Sequence, residues 1–404
     1  MRLTEPTDLR SGQPCWPQPG VIGADPLPDR CEIVVVGAGI MGSMLADRLS
    51  REGHHVVVLD RRFPAYGSTA ASTALVQWAA DTPLLHLSQR WGAERAAAIW
   101  KRLHRTVNNL AAEIGRSGID CGWQARSELY LAGNLLDEDA LRAEAKCRVA
   151  AGLPSEFLQA GEVKARFSLP ARAALLSQDA FGVDPVALTH GLLERARAAG
   201  AAIVHPIEVL GLDQANDGVG LILDGDARLE ASQVVLATGY EASRWFLPEA
   251  FTLGSSFAIA TAPGTPPVWE EGVMLWEASD PYLYARRTDD GRILVGGGDI
   301  DSADPDRRDA QLAQKQARLK VDGARLLDVD ELQVDCAWAA TFGSSPDGLP
   351  ALGRAAHTQR VWLAHGFGGN GVTFARLGAE LVSSALAGQV DEDLMLFDPY
   401  RFEA

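Results

Sequence analysis

Near the start of this 404-residue chain, Gly37-Ala38-Gly39-Ile40-Met41-Gly42 and Asp60 have the types and spacing to hold a diphosphate and the sugar beside it. Gly37 permits a tight turn, Gly39 lets the backbone approach a pyrophosphate, and Gly42 lets a helix pack on the preceding strand. The N–H groups of Ile40 and Met41 would open that helix, whose positive dipole end meets the phosphate charge. Asp60, 18 positions past Gly42 and followed by Arg61 and Arg62, can accept hydrogen bonds from a ribose. An arginine in the acid's place would have suited a 2′-phosphate, so NADP is disfavoured. A second chemistry-bearing stripe is Tyr282, Tyr284 and Arg286, which share one face of a strand by its period of two. Two phenols and a guanidinium there suit an anionic group; equally, they suit two half-buried sheet residues and a surface charge.

These residues need particular elements beneath them. Ile33 to Val36 form an apolar run suited to a strand buried on both faces. A helix to about Glu52, a stop at Gly53 and a second buried strand, Val56 to Leu59, complete a β-α-β unit. Residues 92–116 read as a helix with Ile99, Leu103, Val107, Leu110 and Ile114 on one stripe. Another helix spans about Asp137 to Ala150. Asp184-Pro185 opens a third, which Gly200 closes. Val234 to Leu236 is a buried strand ending in Ala237-Thr238-Gly239. From about 251 to 300 the pattern turns to strands, with a hairpin at Asp289-Asp290-Gly291 joining Tyr282–Arg287 to Arg292–Val295. Val361 to Ala364 is a further buried strand, followed by a helix from about Thr373.

The expected architecture is α/β plus β: a discontinuous Rossmann-like nucleotide-binding domain with an inserted antiparallel-sheet substrate domain. Residues 31–120, 155–245 and 330–404 are assigned to the first, and 121–154 and 246–329 to the second. A Pro-rich arm, 1–30, precedes them, held to the body by Trp16.

Composition narrows the function. A net charge of −16 argues against a nucleic-acid partner, because little basic surface remains to neutralise phosphates. The content of 47% hydrophobic and 22% charged residues is that of an ordinary soluble globular chain. Cys15, Cys31, Cys121, Cys147 and Cys336 form no C-x-x-C pair, so neither a metal site nor a disulfide framework is expected, and the cytoplasm is the expected compartment. Asp8, Asp25 and Asp29 interrupt the first thirty residues, which hold no apolar run for a signal peptide or membrane span.

Three further segments separate FAD from NAD. They are Gly67-Ser68-Thr69-Ala70-Ala71-Ser72-Thr73, Val234-Val235-Leu236-Ala237-Thr238-Gly239 and Gly366-Phe367-Gly368-Gly369-Asn370-Gly371. With Ser345-Pro346-Asp347-Gly348-Leu349-Pro350, and from about residue 31 onward, the chain resembles the D-amino-acid-oxidase-type family of FAD-dependent oxidoreductases. Glycine oxidase, sarcosine oxidase and D-amino-acid dehydrogenases belong to that family. The resemblance implies that Gly67, Ser68, Thr69, Ser72 and Thr73 lie along the pyrophosphate and flavin. It places the Val209 backbone on adenine, and Ala237, Thr238 and Gly239 at a second nucleotide contact. Gly366, Gly368, Gly369, Asn370, Gly371, Val372 and Thr373 would run along the isoalloxazine. The helix after them would aim its positive end at the N1–C2=O edge, where reduced flavin is anionic.

The implied chemistry is hydride transfer from a C–H beside an amine nitrogen to flavin N5, giving an imine that water hydrolyses, with no catalytic triad. Substrate-side candidates are Tyr282, Tyr284, Arg286, Phe342, His365 and Asn370, with Trp276 and Trp338 as further cavity residues; a lone histidine after a buried strand, as His365 is, is more often structural. Three departures from the family bear on mechanism. Relatives that take amino acids carry a carboxylate-clamping arginine four residues after a tryptophan resembling Trp338, where this chain has Phe342. A lysine linked to oxygen activation is replaced by Thr373, leaving O2 or a quinone or carrier protein as acceptor. Ala71 and Ala340 stand where some relatives attach flavin covalently, so the FAD is expected to be non-covalent. The rival readings are a flavin-binding scaffold without turnover and an NAD-dependent dehydrogenase, which would be colourless.

Overall fold

Short apolar runs, Ile33–Val36, Val56–Leu59, Val234–Leu236 and Val361–Ala364, place four of the strands at the centre of the first sheet, where both faces are covered. In the computed structural model, which describes residues 8–17, 22–214, 217–241, 245–389 and 391–403, these strands lie parallel. Their order is Val361–His365, Arg228–Leu236, Arg30–Val36, Val56–Leu59, with the short Ala202–Val204 added at one side. Val36 is in register with both Leu59 and Leu236, so the chain leaves three neighbouring strands at one level. An antiparallel strand, Ala351–Arg354, borders Val361–His365, and a meander of Val209–Gln214 and Val219–Leu223 leads into Arg228–Leu236. Helix Ile40–Arg51 packs against both Pro185–Ala198 and Gly371–Leu386 beside this sheet. Val34, Val35, Val57, Val58, Val234 and Val235 are wholly buried.

The helix boundaries follow their caps. Asp184 accepts from the N–H groups of Val186 (2.8 Å) and Ala187 (3.0 Å), and Pro185 fills the first turn. Asp137 caps Glu138–Ala150 through Ala140 N–H at 2.9 Å. The helix read over 92–116 runs from Ala93 to Ser117 and stops at Gly118, in the left-handed conformation.

The second sheet has ten strands and draws on more of the chain than 121–154 and 246–329. Ser155–Leu158 and Ala174–Gly182 pair within it, as do Val334–Ser344 and Arg10–Gly12 of the N-terminal arm. Local pattern assigns a strand's type but not its sheet, which is set by long-range pairing. Nor is the segment 246–329 all sheet. Pro305–Leu326 is a 22-residue helix, capped by Asp304 accepting from Arg307 N–H (2.9 Å) and packed over the strands Thr252–Thr261, Ile293–Ile300 and Val334–Ser344. The Asp304-Pro305 pair carries the same start signal as Asp184-Pro185. Met274–Glu277 pairs parallel with Gln124–Leu131, and the remaining pairings are antiparallel. The predicted hairpin is present, with Leu283–Arg287 paired to Ile293–Ile300. Residues 1–7 and 18–21 of the arm lie outside the described residues. Trp16 holds the described part, donating its indole N–H to Ser72 O at 2.8 Å.

A buried ion pair within helix Glu138–Ala150 holds the start of helix Leu84–Trp91. Glu144 accepts from Arg148 Nε (2.8 Å) and from the first two N–H groups of helix Leu84–Trp91, Leu84 (2.9 Å) and Leu85 (2.7 Å). Both charged side chains are fully buried, and the Arg148 guanidinium lies 4.7 Å from the Trp100 ring centre. Removing the arginine leaves a carboxylate in a site with no water to replace its partner. Arg148→Met should therefore lower the unfolding free energy by about 3–5 kcal/mol. In the exposed Arg142–Glu138 pair, Arg142→Met should change it by less than about 1 kcal/mol. Urea unfolding of both variants measures the difference, and equal midpoints would contradict the assignment.

Candidate active site

The carboxyl ends of the parallel strands open onto one cavity of about 600 Å³, which runs without interruption into the ten-stranded sheet. Its nucleotide end is built by close backbone approach. Gly37, at φ +114°, faces Ala237 O so closely that a Cβ there would sit 2.3 Å from that oxygen. A Cβ on Gly42 would sit 1.8 Å from Gly37 O, so the helix Ile40–Arg51 can reach the turn only with glycine at both positions. Ile40 N–H, at the first turn, donates to Thr69 Oγ1 at 3.0 Å.

Asp60 is fixed by two backbone donors, Ala38 N–H (2.7 Å) and Arg62 N–H (2.8 Å). Burial raises its pKa, while those N–H groups and the Arg62 charge oppose the rise. Each carboxylate oxygen keeps a lone pair for a ribose hydroxyl. Arg61 and Arg62 also line this end, and both pair with Glu241, Arg62 at 2.9 Å. Val209, Ala237, Thr238 and Gly239 complete it.

In the middle, Gly67, Ser68, Thr69, Ser72 and Thr73 line one wall, and Gly366, Gly368, Gly369, Asn370, Gly371 and Val372 line another. Asn370 is held by Nδ2 donating to Ala79 O at 2.7 Å, and the helix Gly371–Leu386 begins at the cavity edge. Ala71 and Ala340 lie on the wall and offer no nucleophile for a covalent link.

The far end is aromatic and acidic. Tyr130 stacks on Trp276 at 4.2 Å between centres, and Trp276 Nε1 donates to Glu128 Oε1 at 2.5 Å behind the wall. Tyr282, Tyr284 and Phe342 line the cavity with Asp81 and Asp299. Burial, together with the Asp299 charge, raises the pKa of Tyr282, whose hydroxyl donates to Asp299 Oδ2 at 3.2 Å. Tyr284 is pushed up to about 12, chiefly by burial. Asp81 Oδ2 accepts from Gly369 N–H at 2.6 Å, and burial pushes this carboxyl up to about 6.

Four residues singled out from the sequence stand off the wall. Gly42 lies behind the glycine turn, and Thr373 donates its hydroxyl to Gln77 O at 2.8 Å. His365 is buried, bonds Gly239 O through Nδ1 at 2.8 Å, and has its pKa lowered by burial. Arg286 is the main correction. Its guanidinium donates to Thr73 O (2.5 Å), Val183 O (2.6 Å) and Arg287 O (3.2 Å), and burial lowers its pKa to about 10. Alternation correctly places Tyr284 and Arg286 on one face. It does not say that the cavity ends between them.

Sequence reasoning missed Asp81, Asp299, Gln77 and Tyr130. Asp299 had one usable signal, the run Gly296-Gly297-Gly298 before it, since the Tyr284 ring packs directly on Gly296. Asp81 sits in a loop with no spacing motif.

The fit to a bound dinucleotide predicts a binding defect. Gly42→Ala should cause most of the nucleotide to be lost on purification, because the helix must retreat from the turn. Asp60→Ala should weaken binding by about 10–100-fold through lost charge-assisted hydrogen bonds. The visible-to-280 nm absorbance ratio and titration of the stripped protein measure both. Unchanged occupancy in Gly42→Ala would contradict the close-packing account.

Comparison with known proteins agrees with this geometry. The model of the FAD dependent oxidoreductase family, DAO, matches residues 32–385. The probable oxidoreductase OrdL of Haemophilus influenzae is 21% identical over 385 residues, covering 92% of this chain and 86% of its own. The crystal structure of glycine oxidase from Geobacillus kaustophilus superposes with a TM-score of 0.75 at 20% identity, covering 93% of this chain and 99% of its own. That of L-proline dehydrogenase from P. horikoshii gives 0.77 at 22%, with the same coverage. The glycine turn, Asp60 at the end of the next strand and the family match over most of the chain converge: this protein belongs to the DAO family of FAD-dependent oxidoreductases.

Proposed function

We propose that the protein oxidises a C–N bond of an amine or modified amino acid. The observation that carries this reading is the single cavity, in which the family's dinucleotide elements pass directly into an aromatic, acid-lined chamber. In domain terms, the parallel-sheet segments form a discontinuous Rossmann-like FAD-binding domain, and the ten-stranded sheet supplies the substrate domain. Bound FAD supplies the hydride acceptor, N5 of its isoalloxazine.

The chain's own residues bind, orient and move a proton. Tyr130, Trp276 and Phe342 exclude water and present flat apolar surface to the carbon chain of the substrate. Asp81 is placed to take a proton from the amine nitrogen. It lies against Gly368 and Gly369 of the stretch assigned to the isoalloxazine, and its raised pKa suits a base near neutral pH. The C–H bond electrons leave as hydride, the nitrogen forms a double bond to that carbon, and water adds to the imine to release a carbonyl compound and an amine. The electrons then pass to O2, a quinone or a carrier protein. Thr373, buried and bonded to Gln77 O, supplies no cation to activate oxygen, which favours a dehydrogenase.

Anaerobic mixing with a panel of amines and amino acids tests the reading. A substrate should bleach the visible flavin absorbance, and adding O2 or a quinone should restore it. Bleaching by dithionite but by nothing in the panel would support a scaffold instead. A second expectation concerns pH. The Asp81 carboxylate is charged above about pH 6 and is neutralised as pH falls through that value, so flavin reduction should drop on an acid limb near 6. Asp81→Asn, which keeps an acceptor for Gly369 N–H, should remove that limb and slow reduction by about 10²–10⁴-fold. A wild-type limb surviving in the variant would exclude Asp81 as the base.

A further inference from the structure

The cavity wall has an unequal distribution of charge. Among the described residues its only cations are Arg61 and Arg62, at the nucleotide end, and both are paired with Glu241. The position where relatives place a carboxylate clamp is Phe342, and Arg286, the arginine singled out from the sequence for an anionic group, is closed off by three carbonyl oxygens. Of the acids on the substrate side, Glu277 is paired with Arg172. Asp81, Asp280 and Asp299 have no salt bridge among the described residues, and Asp280 is exposed.

Two acceptors on residues that line the cavity lack partners among the described residues. Gln77 is 5% exposed and lines the cavity, yet its Oε1 is buried without a hydrogen bond, and so is Oδ1 of Asp299. The nearest cation to Asp299 is Lys315, in an adjoining depression, and its ammonium donates to Gly298 O. Unsatisfied buried acceptors are costly unless something donates to them. A substrate carboxylate would meet like charge here and find no donor cation, which opposes binding twice over.

Resting on the amine-oxidation reading, we propose that the substrate carries a second positive charge remote from the reacting nitrogen and no carboxylate. It is a diamine or polyamine-like cation, whose distal ammonium is bound by Asp299. Tyr282 positions Asp299 by donating to its other oxygen. The aromatic wall then spans the carbon chain between the two nitrogens, with Asp81 at the reacting end.

Three probes of equal length isolate the distal group: 1,5-diaminopentane, pentylamine and 5-aminopentanoate, which end in a positive, a neutral and a negative group. Calorimetric titration of the holoprotein with its flavin kept reduced measures binding without turnover. The diamine should bind at least about tenfold more tightly than pentylamine, the worth of one charge-assisted hydrogen bond, and 5-aminopentanoate should bind more weakly than either. Asp299→Asn should collapse the diamine's advantage over pentylamine. The order in the unsubstituted protein decides the matter even if that variant does not fold.

Equal binding of diamine and pentylamine, or tighter binding of 5-aminopentanoate, would overturn the proposal. Anaerobic bleaching by an amino acid and not by the diamine would overturn it too, while leaving amine oxidation standing. Binding in the expected order with no bleaching by any amine would keep the cation site and remove the oxidation reading.

Discussion

Contact between two strand ends, with no room for a side chain between them, governs the arrangement of this molecule. Gly37 lies against Ala237 O, and Gly42 lies against Gly37 O. The register that brings Val36 level with Leu59 and Leu236 makes this contact possible. It also delivers Asp60, the 237–239 segment and the first turn of Ile40–Arg51 to one edge. Because backbone occupies the space that side chains would take, the positive end of the helix Ile40–Arg51 comes up to the cavity, where it suits a pyrophosphate.

The substrate end obeys a different constraint. Here the ten-stranded sheet sets which side chains face the cavity, and buried electrostatics sets what they do. Asp81 and Asp299 both have carboxyl pKa values raised by burial; Gly369 N–H holds Asp81, and the Ser256 and Tyr282 hydroxyls hold Asp299. Arg286, by contrast, is a structural cation that ties the loop at Thr73 and the turn at Val183 to the sheet. The two ends therefore differ in kind. One is backbone geometry suited to an anion, and the other is side-chain charge suited to a cation.

The N-terminal arm belongs to this arrangement. Arg10–Gly12 extends the ten-stranded sheet through Val334–Ser344, the strand that carries Trp338 and Phe342. Trp16 donates to Ser72 O, and Trp338 donates to Ala71 O at 2.8 Å, so two indoles brace the hydroxyl-rich loop from behind. The stacked pair Tyr130–Trp276 is braced in turn by Glu128 and by the buried Glu144–Arg148 pair.

By itself the sequence determined the β-α-β unit, the helix starts at Asp137 and Asp184, the hairpin at 289–291 and the glycine turn with Asp60 beside it. Each of these rests on a short-range rule: a glycine where a Cβ cannot fit, an acid one strand away, a cap before a proline. Only the tertiary structure decided which sheet received Ala174–Gly182 and Val334–Ser344. It also decided that Arg286 and His365 turn away from the cavity, and that Asp81, Gln77 and Asp299 line it. Those outcomes depend on pairing between strands distant in the chain and on where a cavity stops, neither of which local periodicity encodes. The cofactor end was legible because backbone conformation restricts residue type. The substrate end was not, because many residue types can line a wall whose shape is set by long-range packing.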